Sequence, residues 1–275
     1  MPKILLSICS LLLYFILPAQ DYKQLHKRSL VIDTHNDIPS TAIEKNVCFD
    51  QNLTGITNSD MKRMKQGGID AQVFSIWCDG NKANPYAWAN REIDTVLAWT
   101  GRNPNDMVKA FSSEDIYKAA SEKKLAVLFG VEGGHMIESK IENLEALAAR
   151  GMTYMTLTWN NSTPWASSAY DETFRKDSLK HLGLTDLGKQ IVTRLNELGV
   201  IVDLSHVGEK TFYDAISTST KPVMASHSSA YVFNAHQRNL KNDQIKAIAK
   251  NGGVVFLNFY SGFLDSTYTR KQQKF

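Results

Sequence analysis

Five residues spread along the chain could together hold metal: His35, Asp37, Glu132, His206 and His227. The first two lie in VIDTHNDIP, where an apolar run leads into His35-Asn36-Asp37 and stops at Pro39. Side chains two apart on a strand share a face, so His35 and Asp37 project together. Glu132 finishes LAVLFGVE and precedes Gly133-Gly134, which lets backbone come close. A carboxylate closing an otherwise apolar strand is costly unless it is paired or bound to a cation. His206 ends IVDLSH and His227 ends VMASH. Singly, each reads as a solvated carboxylate or a histidine bonded to backbone. Their recurrence at four separate strand ends is what points to a common site.

Imidazole and carboxylate without thiolate suit zinc or a similar divalent ion in a hydrolytic site. Three histidines and two carboxylates exceed what one catalytic zinc with an open position needs. They suit two ions roughly 3.5–4 Å apart that share a carboxylate and a bridging hydroxide. The expected reaction is hydrolysis of an amide or related bond. Cys48 and Cys78 lack CxxC partners and are poor thiolate ligands, although one disulfide between them is open to an exported chain. His26 and His181 sit in polar surroundings and read as solvated, and His135 reads as structural. Trp159, Trp165 and Tyr260 fall at or just past strand ends, where they either pack or line a pocket. Arg238, in NAHQRNL, is a surface residue by base rate. Beside a metal site its planar fork would instead suit a substrate carboxylate.

The elements that must carry these residues alternate. Strands are expected over Leu30–Asp37, Ile69–Cys78, Leu125–Glu132, Met152–Trp159, Val200–His206, Val223–His227 and Val254–Tyr260. Helices are expected over Tyr86–Trp99, Ser113–Lys123, Ile141–Arg150, Thr185–Leu198, Glu209–Thr218 and Asn242–Lys250. Such alternation argues for βαβ units around a mainly parallel sheet. Chemically capable residues at the C-terminal ends of the strands favour closure into a (β/α)₈ TIM-type barrel. Seven strands are visible before Phe275, so the expected barrel stops short of its eighth. The polar stretch from Trp165 to Gly183 reads as a long loop over the barrel mouth.

The 275 residues, 43 % hydrophobic and 21 % charged, describe an ordinary globular chain. A formal charge of +3 without a Lys/Arg block leaves nothing that reads as a nucleic-acid footprint. Lys3, the apolar run from Ile4 to Leu17 and Pro18-Ala19-Gln20 read as a secretory signal over residues 1–20. About 14 apolar residues fall short of the roughly 20 a spanning helix needs. The expectation is an exported protein, periplasmic or secreted, whose barrel domain occupies 21–275 and whose partners are small molecules, with a homodimer also open.

Taken in order, IDTHNDIP, GGIDAQVFS, GVEGGH, MTLTWNNSTPWA, LNELGVIVDLSH, SHSSAY, RNL and VVFLNFY resemble the membrane (renal) dipeptidase family of zinc-dependent enzymes. The resemblance covers about Leu30 to Tyr260. It implies His35 and Asp37 on one zinc, His206 and His227 on the other, and Glu132 bridging them. It also implies that Arg238 holds the free carboxylate of a dipeptide, that Tyr260 lines the pocket, and that a D-residue is accepted on the C-terminal side. Trp159 stands where mammalian members have a histidine that polarises the scissile carbonyl. An indole N–H donates one hydrogen bond and cannot titrate, which leaves Asn160 and Asn161 as alternatives for that role. The family's acid/base aspartate belongs to the eighth strand, so no catalytic proton carrier is assigned here. Two rivals stand beside the dipeptidase reading. One is another metal-dependent hydrolase of this barrel type, acting on cyclic amides, lactones or deamination substrates. The other is a non-catalytic metal-binding homologue.

Overall fold

The computed structural model describes residues 21–268; the segment read as a secretory signal and the polar tail after Tyr268 lie outside them. The chain divides into two units at Val31/Ile32. The first contributes a short helix, α1 (Tyr22–Arg28), opened by Asp21, whose side chain accepts from the Lys23 N–H, and basic in its last turn.

The second unit carries the sheet. Its strands are β1 (Ile32–Asn36), β2 (Ala71–Ile76), β3 (Met107–Lys109), β4 (Leu125–Glu132), β5 (Met152–Thr156), β6 (Ile201–Asp203), β7 (Met224–Ser228) and β8 (Val254–Leu257). All pair in parallel in the order β1-β2-β4-β5-β6-β7-β8, and β3 adds to β4 alone. These seven strands make a nearly closed barrel wrapped by helices, a TIM-like α/β architecture. β3 was not foreseen. It pairs with Leu125–Val127, on the stretch of β4 before β5 begins to pair at Phe129. Three residues with no alternation of their own leave too little pattern to read. Lys109, at its end, turns its ammonium onto the carbonyls of Ala110 and Gly151 at 2.9 and 3.2 Å.

Six expected helices are present: α4 (Pro85–Arg102), α5 (Ser113–Ser121), α6 (Ile141–Ala149), α8 (Asp186–Glu197), α9 (Glu209–Thr218) and α10 (Asn242–Lys250). α5 starts in a Ser112/Asp115 capping box, so two orphan backbone donors are satisfied at once. α8 buries Ile191, Val192 and Leu195. Each such side chain contributes about 1.5–3 kcal/mol relative to exposure. Short helices α2 (Ile38–Lys45), α3 (Met61–Gln66), α7 (Ala169–Phe174) and α11 (Ser261–Leu264) were not foreseen. α7 corrects the reading of Trp165–Gly183 as a loop: it is capped by the Ser168 side chain, and Trp165 to Ser168 are buried beneath it.

The core runs from Ile38 to Ile248, with Trp99, Trp165, Phe49, Phe74, Phe129 and Phe212 as its largest side chains. All eight residues of β4 are buried. β8, at the end of the order, is far more open, with Leu257 78 % exposed. Among the described residues β1 and β8 do not pair; instead Thr34 Oγ1 on β1 donates to Ser226 O on β7 at 2.7 Å. Cys48 and Cys78 are free rather than joined.

Candidate metal centre

The ends of β1, β4, β6 and β7 bring the five expected residues together. Glu132, 3 % exposed, is the point on which they converge. Its Oε2 lies 3.3 Å from His35 Nε2, and its Oε1 lies 2.9 Å from His206 Nε2 and 3.2 Å from His227 Nε2. Asp37 Oδ1 is 3.2 Å from His35 Nε2, with the side chain half in solvent. The rings of His35 and His227 stack with centroids 3.7 Å apart and planes at 22°. Ligand atoms of His35, Glu132 and His227 all lie within 4.8 Å of one another.

Local sequence explains these placements. After His35 and Asn36, Asp37 serves as the N-cap residue of α2, with proline in the helix's first positions, so its carboxylate stays at the strand end. Gly133 turns the chain out of β4 at φ +98°; a Cβ there would meet the His135 ring at 2.5 Å. His206 itself adopts φ +66°, a left-handed conformation that costs a non-glycine residue about 1–3 kcal/mol. Its carbonyl is held by the Ala169 N–H at 2.8 Å and by Thr158 Oγ1 at 3.2 Å.

The opposite edges of the imidazoles are anchored as well. Tyr154 OH donates to Thr34 O at 2.9 Å, so at 2.9 Å from His35 Nδ1 it accepts the ring proton. His206 Nδ1 donates to Asn160 Oδ1 at 3.1 Å. Both rings therefore turn Nε2 inward. Space for Tyr154 comes from β4: a Cβ on Gly130 would fall 2.0 Å from the Tyr154 ring.

Burial raises the Glu132 carboxyl, but the surrounding imidazoles, His35 first, outweigh it and hold the group well below the usual carboxylate range. For His35, burial opposes the charged ring. Tyr154, Glu132 and Asp37 overcome it and raise the imidazole well above its ordinary value. Burial lowers His206 and His227, with Arg238 adding to the first and His35 to the second. His227 Nε2 lies 3.2 Å from Glu132 Oε1 and, among the described residues, is a buried nitrogen that makes no hydrogen bond.

Arg238 is 5 % exposed, not a surface residue. Its Nη2 donates to His227 O at 3.2 Å, its Nε has no hydrogen-bond partner, and burial brings its pKa down to about 10. Among the described residues it forms no ion pair. A cavity of about 770 Å³ runs from His206 and Ser228 past Arg238 and Tyr231 to Glu172 and Phe174. Trp159 is half-buried, its ring centroid 6.4 Å from His206 and 5.1 Å from Trp77. Tyr260 is 55 % exposed and packs edge-on to Phe263 at 5.0 Å; Phe263 in turn lies beneath Arg238 at 5.4 Å. His135 is structural, its Nε2 2.9 Å from Cys78 O. His181 is not simply solvated, since its ring nitrogens lie 3.2 Å from Gly183 O and Thr163 O. Sequence reading missed Tyr154, Ser226 and Asp203. Their one signal is a polar side chain within or ending an apolar strand.

The model of the membrane dipeptidase family, peptidase family M19, matches residues 19–274. An uncharacterized dipeptidase of Schizosaccharomyces pombe is 31 % identical over 269 residues, covering 90 % of this chain and 63 % of that protein. The chain thus spans about 63 % of the length of this curated relative. An amidohydrolase from Pseudomonas aeruginosa superposes with a TM-score of 0.72 at 25 % identity, covering 89 % of this chain and 66 % of the other. The probable dipeptidase PvdM of the same organism gives 0.77 at 23 % identity, with 93 % and 66 % covered. A metallo peptidase from Rhodobacter sphaeroides, solved with a phosphinate mimic of L-Ala-D-Ala, gives 0.74 at 21 %, with 86 % and 75 % covered. The last two likenesses speak for the fold.

Proposed function

The chain belongs to the membrane dipeptidase family, peptidase family M19, and from that premise we propose that it hydrolyses the peptide bond of free dipeptides using divalent metal. The observation that carries this reading is the convergence of three Nε2 atoms, at 2.9 to 3.3 Å, on the single buried carboxylate of Glu132. The donor set fits divalent ions. It is all imidazole and carboxylate, and it includes a buried His227 Nε2 that no hydrogen bond satisfies. His35 and Asp37 would hold one zinc, His206 and His227 a second, and Glu132 both. Bound there, the ions would supply a water activated at neutral pH and polarisation of the scissile carbonyl.

The chain's own residues do the rest. Arg238, buried and without an ion pair among the described residues, binds the terminal carboxylate, so substrates are short and have a free C-terminus. Trp159, beside His206, can donate one indole hydrogen bond to substrate, and Tyr260 would act only indirectly, by packing on the Phe263 ring that lies beneath Arg238. A D-residue on the C-terminal side belongs to this reading, in line with the L-Ala-D-Ala mimic in the R. sphaeroides structure. Export by the leader at 1–20, with the barrel domain over 21–275, belongs to it too.

Release of amino acids from a panel of dipeptides, free and blocked at either end, tests the proposal in zinc-loaded protein. Amidation of the C-terminus, or Arg238→Ala, is expected to lower kcat/KM by about 10- to 150-fold, the worth of a hydrogen bond to a charged group. Equal turnover of blocked and free dipeptides would overturn it. The likeness to an amidohydrolase supports a second reading, hydrolysis of cyclic amides, and such substrates complete the panel.

A further inference from the structure

Asp203 ends β6, three residues before His206, and is fully buried. Four donors converge on its carboxylate. The N–H groups of Ser205 and Ser226 approach Oδ1 at 3.2 and 2.8 Å. Thr156 Oγ1 and Ser226 Oγ approach Oδ2 at 2.5 and 2.7 Å. Ser226 Oγ also lies 2.7 Å from His227 Nδ1.

Ser226 has one hydroxyl proton for these neighbours. If Nδ1 received it, the serine oxygen and Asp203 Oδ2 would face each other as two acceptors in a buried site, where an unmade hydrogen bond costs about 1–3 kcal/mol. Ser205 Oγ, a third candidate, is 3.4 Å away and already accepts from the His227 N–H at 3.0 Å. Directed at Asp203, the proton leaves Ser226 Oγ free to accept from His227 Nδ1–H, and every contact of the Ser226 hydroxyl with Asp203 and His227 then pairs a donor with an acceptor. His227 so carries its proton on Nδ1 and turns the lone pair of Nε2, which makes no hydrogen bond, toward Glu132 Oε1 at 3.2 Å, two acceptors that a cation between them would satisfy.

We propose that Asp203 is a positioning residue that, through Ser226, locks His227 in the tautomer and ring orientation that offer Nε2 to a metal ion. This rests on the reading of His227 as a ligand. Asp203 also ties β6 to β7 through the Ser226 N–H, so loss of stability alone would not distinguish positioning from scaffolding.

Asp203→Asn separates the two roles. With two backbone donors facing Oδ1, the amide nitrogen takes the place of Oδ2, donates to Ser226 and turns the serine proton onto His227 Nδ1. Nitrogen-15 NMR of the histidine rings in the metal-free chain, with His227 assigned through His227→Gln, is expected to show Nδ1–H in the parent and Nε2–H in Asp203→Asn. Zinc affinity by chelator competition is expected to fall about 10- to 100-fold. Ser226→Ala leaves Asp203 three of its donors and is expected to show the same order of loss, which keeps the test open if Asp203→Asn does not fold. An unchanged tautomer and unchanged zinc affinity in these variants would overturn the proposal. If the parent binds no zinc, the metal reading fails, and the tautomer comparison still decides whether Asp203 sets the ring.

Discussion

At Glu132, one carboxylate is shared by three imidazoles and buried from water. Glutamine there keeps the volume but replaces one acceptor oxygen with a donor aimed at an imidazole nitrogen. Glu132→Gln is therefore expected to bring bound zinc below one ion per chain and dipeptide hydrolysis to background, checked by metal analysis and amino-acid release. Retention of both would remove Glu132 from the proposed centre. The candidate ligands were legible because each follows or closes an apolar strand with a polar group. Their anchors were not, because nothing in the local pattern says that Tyr154 crosses from β5 to His35, or that Asn160 meets His206. For Arg238 the sequence left two readings, a surface residue or a fork for a substrate carboxylate, and the fold excludes the first by turning the side chain inward over Phe263.

At the scale of elements, β4 does two jobs. Its buried run supplies the centre of the sheet, and its Gly130 leaves the room that the Tyr154 ring occupies on the way to His35. Gly130→Ala would put a methyl 2.0 Å from that ring, so either the strand shifts or the tyrosine leaves His35. The expected outcome is a loss of about 1–3 kcal/mol from overpacking, read by urea unfolding, together with weaker zinc binding. Parental values for both would show that Tyr154 has another route to the imidazole. Helices with a full apolar stripe and caps, α8 and α10 above all, were readable to within a residue or so. One-turn and two-turn helices such as α3 and α7 are set by their caps and by packing, and carry too few turns for a period to emerge.

For the molecule as a whole, the sheet is strongest in its middle and weakest at its ends. β4 has partners on both sides, while among the described residues β8 pairs only with β7 and exposes Leu257 and Val254. Hydrogen exchange should follow this gradient, with β4 amides opening only with the global unfolding and β8 amides exchanging through local opening many times faster. Equal protection of the two strands would mean that β8 is covered in solution by something beyond the residues described.

The alternation of strands and helices, the barrel class and the five strand-end residues of the candidate site were all contained in the sequence. Hydrophobic period and chain punctuation are local, and a polar group that closes an apolar run is visible without knowing what it faces. Tertiary structure alone decided which nitrogen of each histidine faces Glu132, that Asp203 stands behind His227 through Ser226, and that Arg238 is buried. Those properties come from contacts between separate elements of the fold, as between Asp203 and Ser226 or between Tyr154 and Thr34. Only the closing of the sheet brings such residues within hydrogen-bonding distance.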